Sequence, residues 1–358
     1  MSGTSLDGID AVLAEISRTG QARLIRNHYL PYTDNLRAQL LALHAPQPNE
    51  IHLAACAAND LARLYTRAIN GLLDGIDPAT VCAVGCHGQT LRHRPADGYS
   101  LQIGNAALLA ELTGITVIAD FRSRDIAAGG QGAPLVPAFH AQVLGHPAIH
   151  RVIANIGGIA NITDLPVNGM VVRGWDTGPG NMLLDAWVKR HNGAHYDSDG
   201  EWAASGIVHS GLLAALADHA YLKQPPPKSA GREQFNLDWL DATLSNLGQP
   251  IAPADVQATL LELTALSLCD AVNRECAGRQ ELYVCGGGAH NGLLMQRISA
   301  HLPDIRVATT SALGIDPDWV EALAFAWLAR QTLHHAPGNL PSVTGARGKR
   351  ILGAIYPA

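Results

Sequence analysis

Residues Arg151–Thr163, with the sequence RVIANIGGIANIT, decide the fold of this 358-residue chain. Two apolar runs, 151–156 and 159–165, lie on either side of the pair Gly157-Gly158. Apolar runs joined by two glycines are typical of antiparallel strands connected by a tight turn. The stretch therefore predicts a β-hairpin with glycines at its tip.

The beginning of the chain has the same arrangement. A glycine turn at 3–8 leads into an alternating run over Ile9–Ile16, and a second run, Ala22–Tyr29, follows the turn Thr19-Gly20. A chain of 358 residues also exceeds the size at which one core stops growing. We therefore expect two domains that begin alike, with a boundary near residue 135, where Pro134 and Pro137 follow a glycine-rich loop.

Strand and helix patterns alternate along the remaining sequence. The spacing of apolar residues predicts strands at 81–86, 116–119, 171–175 and 282–285, and helices at 51–73, 181–191, 255–276 and 316–332. This order indicates an α/β fold, in which ligands bind at the ends of strands.

Composition excludes several classes of protein. The net charge is −6 and no long basic run occurs, so we expect no binding to nucleic acid. No apolar stretch reaches the ~18 residues of a membrane span, and no signal peptide is evident, which favours a cytoplasmic location and no membrane partner. The six cysteines form no CxxC pair and are expected to be buried free thiols, and His87 and His93 lack the spacing of a zinc site.

Glycine is in excess, at 36 of 358 residues. Three glycine turns follow predicted strand ends, at 3–8, 157–158 and 286–288. Glycine lets main-chain N–H groups approach a phosphate closely, but plain tight turns also use glycine. The spacing matches neither the P-loop nor the dinucleotide-binding motif, so both interpretations stay open on spacing alone.

Five segments resemble one family. Met1–Asp10 (MSGTSLDGID) is similar to the first phosphate hairpin of the anhydro-N-acetylmuramic acid kinases, a branch of the sugar-kinase, chaperone and actin ATPase superfamily. The other four resemble, in order, the interdomain segment, second phosphate turn, catalytic loop and adenosine turn of that family: residues 120–137, 155–163, 175–181 and 285–291.

The resemblance implies two similar actin-like (ribonuclease H-like) α/β domains around an ATP cleft, each with a mixed five-stranded sheet. We expect one domain at 1–135, joined by 340–358, and the other at 136–339. The implied reaction hydrolyses the 1,6-anhydro bond of anhydro-N-acetylmuramic acid and phosphorylates O6 with ATP, as a step of cell-wall recycling. The alternatives are another sugar kinase or an acyl-carbamoyl transferase of the same fold, and a nucleotide-binding sensor without turnover.

The resemblance assigns Asp176 as the general base, and its alternative role is helix capping. Arg122 and Asp120 are expected to contact the lactyl carboxylate of the sugar or to orient the site, with an interdomain salt bridge as the alternative. Gly178 and Glu321 complete the expected sugar contacts, and the alternative for Glu321 is a rim residue or a partner of the helix dipole. His87 and Gln89 follow a strand and either face the cleft or belong to the core.

The nucleotide is expected on the glycine turns, with Mg²⁺ held by Asp7 through water, or with Asp7 only bonding its own backbone. None of the four lysines lies in these turns, so N–H groups and Mg²⁺ must neutralise the phosphates. The expected nucleotide contacts are Gly3, Thr4, Ser5, Leu6, Asp7, Gly8, Ile9, Asp10, Gly157, Gly158, Asn161, Thr163, Gly286, Gly287, Gly288 and Asn291.

One feature departs from the family pattern. The family has an apolar strand ahead of the segment that begins here at Met1. Either translation starts upstream, or the protein lacks this strand and Gly3–Asp10 is a frayed terminus that binds ATP poorly. The family also implies a homodimer.

Overall fold

A computed structural model describes residues 1–3, 6–167, 170–231 and 233–358. The strands are β1 Gly8–Ile16, β2 Ala22–Pro31, β3 Val84–Gly85, β4 Gln89–Arg94, β5 Tyr99–Ile103, β6 Val117–Ala119, β7 Arg151–Ile156, β8 Ile159–Leu165, β9 Arg173–Pro179, β10 Glu281–Cys285, β11 Arg306–Thr309 and β12 Ala354–Tyr356. The helices are α1 Asp34–Ala42, α2 Glu50–Leu72, α3 Ala106–Thr113, α4 Ser123–Ala127, α5 Val136–Phe139, α6 Met182–Asn192, α7 Glu201–Ala204, α8 Ser210–Ala217, α9 Ala220–Lys223, α10 Leu237–Leu247, α11 Pro253–Glu275, α12 Gly292–His301, α13 Val320–Leu333 and α14 Pro341–Thr344.

The chain divides into two compact units. The first comprises Met1–Leu144 and Trp319–Ala358, and the second comprises Gly145–Asp318. These boundaries differ from the expected ones, near 135 and 339, because both α5 and α13 belong to the first unit. An added Cβ at Gly85 of β3 would lie 2.2 Å from the main-chain oxygen of Phe325 on α13. Only glycine permits this close packing of strand and helix.

The second unit contains a mixed five-stranded sheet in the order β11-β10-β7-β8-β9. β7 and β8 form the predicted hairpin, with Gly157-Gly158 at its tip. β10 pairs in parallel with β7 and β11, and β9 runs antiparallel to β8. Helix α11 is buried along most of its length, and residues such as Leu260 and Val272 join β7 and β10 residues in one core.

The first unit has smaller sheets where a five-stranded one was expected. β1 and β2 form an antiparallel hairpin, β12, β6 and β3 form a three-stranded sheet, and β4 pairs with β5. Met1 exchanges two main-chain hydrogen bonds with Asp10, of 2.6 and 2.8 Å, and Ser2 is buried. The described part of the opening segment is therefore anchored, in contrast to the frayed terminus considered from the sequence.

Other local predictions can be compared directly with the structure. Among the described residues, no helix combines the length and apolar character that crossing a membrane requires. All six cysteines are free thiols, but Cys56 and Cys82 are exposed and only the other four are buried as expected. The π-helical turn His140–Leu144 continues α5 and precedes the second unit.

Candidate active site

Asp176 lies within strand β9, three residues before its end. The sequence predicted a strand ending at residue 175 followed by a loop, but β9 continues to Pro179 because it pairs with β8. The pairing shifts between Ala160 and Asn161, so that Asp176 lies opposite Asn161 while Gly178 lies opposite Ala160. The extra residue is Thr177, whose hydroxyl donates to the main-chain oxygen of Ala160 over 3.2 Å. This bulge bends β9 locally, as bulges beside active sites commonly do.

The carboxylate of Asp176 is partly buried and is held through one oxygen. Oδ2 accepts hydrogen bonds from the hydroxyl of Ser229 at 3.0 Å and from the main-chain N–H of Ala230 at 2.9 Å. Among the described residues, none donates to Oδ1. Burial raises the pKa of Asp176, while the two hydrogen bonds and the nearby Lys228 ammonium act in the opposite direction. The arrangement fixes the orientation of the carboxylate and leaves one oxygen for a proton transfer.

The segment Tyr221–Ala230 supports Asp176 from the other side. The Tyr221 hydroxyl donates to the main-chain oxygen of Asp176 over 2.9 Å, and the Asp176 N–H donates to the Lys228 oxygen over 3.2 Å. The Lys228 ammonium donates to the main-chain oxygen of Tyr221 at 3.0 Å and lies 4.5 Å from the centre of the Tyr221 ring. Burial lowers the pKa of Lys228 to about 8. Sequence reasoning missed these supporting residues, because the stretch reads as a proline-rich loop.

The turn Gly157-Gly158 contacts the end of β9 and the beginning of α6. The main-chain N–H of Asn181 donates to the Gly157 oxygen at 2.8 Å, and those of Gly180 and Met182 donate to the Gly158 oxygen at 2.9 and 3.2 Å. An added Cβ at Gly180 would lie 2.3 Å from the Gly157 oxygen. The two glycine segments are therefore in direct main-chain contact.

The third glycine segment, Gly286–Gly288, follows β10 and contacts the end of β7. Gly286 has φ of +76°, and an added Cβ there would lie 2.3 Å from Asn155 Oδ1. An added Cβ at Gly288 would lie 2.4 Å from Ile156 Cγ2. The structure thus brings Gly157-Gly158, Gly178–Gly180 and Gly286–Gly288 together, at strand ends where the sequence predicted a ligand.

The glycines of these segments fall into two groups, those that the structure requires to be glycine and those that it does not. Gly286, Gly288 and Gly180 are required by backbone conformation or by close packing. At Gly157, Gly158 and Gly287 the nearest atoms to an added Cβ are 3.8, 3.7 and 3.5 Å away, and φ is not in the left-handed region. Neither packing nor conformation demands glycine at these three positions. An added Cβ would make only ordinary van der Waals contacts there, so the close approach of a phosphate is a possible reason for glycine that packing does not supply.

Other expected contacts in the second unit have visible structural roles. Asn291 Oδ1 accepts from the Leu294 N–H at 3.0 Å and caps α12. An added Cβ at Gly178 would meet Leu222 at 2.8 Å, so this glycine allows packing against α9. Thr163 is buried in β8, two residues beyond Asn161, and is further from the hairpin tip. Their assignment to ligands stays a prediction.

In the first unit, the expected nucleotide contacts lie at the start of β1. Thr4 and Ser5 lie outside the described residues. Asp7 is exposed, and its Oδ1 accepts from the N–H of Gly8 at 2.9 Å, the local bond considered as its alternative role. An added Cβ at Gly8 would lie 2.6 Å from the Tyr29 ring, so this glycine packs against β2. Gly3 accepts a hydrogen bond from Gln89, whereas Leu6 and Ile9 are buried in the core and Asp10 pairs with Met1.

The expected sugar contacts of the first unit lie after β6 and on α13. Arg122 donates to the Gly132 oxygen and to His87 Nε2, both at 2.8 Å. Burial lowers the pKa of Arg122 to about 10, and the nearby Glu321 carboxylate acts in the opposite direction. Asp120 Oδ1 accepts from the hydroxyl of Ser123 at 2.5 Å and from the Ser123 N–H at 3.4 Å. Arg122 is therefore within electrostatic range of Glu321, whereas the Asp120 carboxylate is engaged locally.

Within the described ranges, no three His, Cys, Asp or Glu side chains are close enough to form a metal site of their own. Mg²⁺ is commonly held by one or two carboxylates together with waters and substrate phosphates. An exposed carboxylate such as Asp7 fits that mode of binding, whereas the structure offers no protein cage for Zn²⁺ among these residues.

An α/β chain of two units, in which glycine segments of the second unit meet near a hydrogen-bonded aspartate, is typical of a nucleotide-dependent phosphotransferase. The whole chain, residues 1–358, matches the family described as "Anhydro-N-acetylmuramic acid kinase". A relative of that name from Thiobacillus denitrificans is 74% identical over 358 residues, covering 100% of this chain and 96% of the relative. Another from Nitrosomonas europaea is 57% identical and covers 100% and 98%. The chain belongs to the anhydro-N-acetylmuramic acid kinase family, which confirms the resemblance found in its motifs.

Two solved structures of low sequence identity are also similar. The activator of the 2-hydroxyisocaproyl-CoA dehydratase from Clostridium difficile with bound ADPNP has a TM-score of 0.44 and 13% identity, covering 92% of this chain and 98% of that one. A ROK family glucokinase from Streptomyces griseus in complex with glucose and AMPPNP has a TM-score of 0.41 and 14% identity, covering 90% and 99%. Both likenesses are distant, and neither bears on the activity.

Proposed function

We propose that this protein uses ATP and water to convert 1,6-anhydro-N-acetylmuramic acid into N-acetylmuramic acid 6-phosphate and ADP. Family membership supports the substrate and the reaction. The observation that carries the chemistry is Asp176, whose Oδ2 is held by Ser229 and Ala230 while Oδ1 accepts no bond from a described residue.

In the proposed reaction, Asp176 Oδ1 takes a proton from a water molecule, and the water oxygen bonds to the anomeric carbon. The bond between that carbon and O6 breaks, and its electron pair stays on O6. O6 then bonds to the γ-phosphorus as the bond to the bridging oxygen of ADP breaks. Water, anhydro sugar and ATP give the 6-phosphate, ADP and one proton, which balances atoms and charge.

The main-chain N–H groups at Gly157, Gly158 and Gly287 are assigned to the phosphates, because neither packing nor backbone conformation demands glycine at these positions. Asp7 is the carboxylate assigned to Mg²⁺, which supplies charge neutralisation at the phosphates when bound. Arg122 is assigned to the lactyl carboxylate of the sugar, because its guanidinium is held in place by Gly132 and His87. Glu321, close to Arg122, is assigned to the sugar as well.

We further infer that the protein works as a homodimer in the cytoplasm, where ATP is available, in cell-wall recycling and amino-sugar catabolism. The dimer is an expectation of the family. Light scattering of the purified protein at several concentrations tests it, and a single monomer mass at micromolar concentration would refute it.

The decisive experiment mixes the purified protein with ATP, Mg²⁺ and the anhydro sugar in ¹⁸O-labelled water. We expect ¹⁸O at C1 of a 6-phosphorylated product and none in the phosphate, as read by mass spectrometry. Asp218→Asn, an exposed carboxylate of the same unit, is the control for Asp176→Asn. Phosphorylation of N-acetylmuramic acid but not of the anhydro sugar would indicate another sugar kinase, and ADP binding without turnover would indicate a sensor.

A further inference from the structure

His87 connects two parts of the first unit through both nitrogens of its ring. It follows β3 and is only 6% exposed. Nδ1 lies 3.1 Å from the main-chain oxygen of Ser2, and Nε2 lies 2.8 Å from a terminal nitrogen of Arg122. One imidazole therefore joins the segment that precedes β1 to the guanidinium that follows β6.

The chemistry of the two partners determines where the ring carries its proton. A carbonyl oxygen can only accept, so Nδ1 must carry hydrogen. A guanidinium can only donate, so Nε2 must present its lone pair to Arg122. Only the neutral Nδ1–H tautomer makes both bonds. Burial lowers the pKa of His87 well below its usual value, and the Arg122 charge acts in the same direction.

The surroundings hold this chain of bonds in one place. The His87 ring packs against Phe325 with 4.6 Å between ring centres, and Phe325 lies one turn after Glu321 on α13. On the other side, the Ser2 hydroxyl bonds Tyr65 at 2.8 Å and the Gly88 oxygen at 3.0 Å. Ser2, His87 and Arg122 thus form a buried or partly buried series with little freedom to rearrange.

We propose that His87 is a positioning residue that sets the opening glycine segment and the Arg122 guanidinium relative to each other. This inference rests on the proposed function, in which residues 3–10 contact the nucleotide and Arg122 contacts the sugar. Loss of the Nδ1 bond removes the contact that holds Ser2, which precedes the opening glycine segment. Loss of the Nε2 bond removes an acceptor that holds the Arg122 guanidinium. A histidine that only fills the core would not affect the two ligands separately through its two ring nitrogens.

Two conservative variants separate the two bonds. Asn at position 87 places its amide nitrogen near the Nδ1 position, so His87→Asn keeps the donor to Ser2 and loses the acceptor for Arg122. Gln places its oxygen near the Nε2 position, so His87→Gln keeps the acceptor and loses the donor. We expect about a tenfold higher KM for the sugar in His87→Asn and for ATP in His87→Gln, with the other KM within about twofold.

The control is His52→Gln, an exposed histidine of the same unit on α2, for which both KM values should stay at wild-type levels. Equal changes of both KM values in the two variants, or a change in melting temperature alone, would overturn the proposal. If wild type makes no 6-phosphate product, the proposed function fails instead. In that case ¹⁵N NMR still tests the positioning role, which requires a His87 signal of the Nδ1–H tautomer from pH 5 to 8, and a protonated or Nε2–H ring refutes it.

Discussion

The hydroxyl of Ser229 donates a 3.0 Å hydrogen bond to Oδ2 of Asp176, although 52 residues separate the two along the chain. The same oxygen accepts from the Ala230 N–H, so two donors from one loop orient the carboxylate. A hydrogen bond to the ionised form favours that form and opposes the effect of burial. This loop therefore controls both the direction and the protonation of the proposed base.

Replacing Asp176 by Asn tests the base directly. The amide oxygen can still accept from Ser229 and Ala230, so the fold should persist, but the side chain can no longer take a proton. We expect kcat to fall by about 10²–10⁴-fold, the usual contribution of a general base, with ADP affinity little changed. Kinetics and calorimetric titration with ADP check this. A kcat within about tenfold of wild type would contradict the assignment.

Ser229→Ala should shift the pH dependence of the reaction. Removal of one donor to the charged carboxylate raises the pKa of Asp176 further. Because the base acts when ionised, the acidic limb of the kcat/KM profile moves to higher pH. We expect a loss of about three- to tenfold on the acidic side and near-complete recovery on the alkaline plateau. Ser205→Ala removes a hydroxyl that bonds the main-chain oxygen of Trp202 and should leave the profile in place. A uniform loss at every pH would argue against this cause.

The two kinds of glycine predict opposite phenotypes. Gly158→Ala should fold normally, because the nearest atom to the new Cβ is 3.7 Å away, and should raise the KM for ATP by at least about tenfold. Gly288→Ala should instead cost about 1–3 kcal/mol of stability, because its Cβ would lie 2.4 Å from Ile156 Cγ2. Thermal melts and ADP titrations separate the two effects. Equal destabilisation by both variants would refute the distinction.

Much of the fold was predictable because local apolar patterns determine it. The spacing over 51–73 predicted a helix, found at Glu50–Leu72, and the runs around Gly157-Gly158 predicted the β7–β8 hairpin. Glycines after strands predicted a ligand site, which stays a prediction, and Gly157-Gly158 does lie against Gly180 and beside Gly286–Gly288. Each of these signals lies within a short stretch of sequence.

The rest depended on contacts between distant segments. β9 extends through Pro179 only because β8 pairs with it, which no local pattern of Gly178 and Pro179 indicates. Ser229 is the second residue after three consecutive prolines, and nothing nearby in the sequence connects it with Asp176. Likewise, the reason for each glycine became visible only from its neighbours, such as Asn155 beside Gly286.

Asp7→Asn should weaken the dependence on Mg²⁺ without affecting the fold. The side chain is exposed, and an amide oxygen can still accept from the Gly8 N–H. Loss of the negative charge should raise the half-saturating Mg²⁺ concentration about tenfold, since Mg²⁺ prefers charged oxygen ligands. Rates measured over a Mg²⁺ series at saturating ATP check this. Asp60→Asn, an exposed carboxylate of the same unit, is the control, and an identical Mg²⁺ response in both variants would exclude Asp7 as a metal contact.

Asp185 should make stability depend on pH in a direction unusual for an aspartate. Burial in the first turn of α6 raises its pKa to about 7, whereas the unfolded chain has an ordinary value of about 3.9. The folded state therefore binds this proton more tightly, and the resulting stabilisation is full below pH ~4 and is lost as the pH rises towards 7. Asp185→Asn removes the cost of burying the charge. The difference in melting temperature, variant minus wild type, should therefore increase by a few degrees from pH 4 to pH 8. Calorimetry over this range, with the exposed Asp270→Asn as control, measures the difference, and a difference that does not vary with pH would show that the carboxylate is not desolvated.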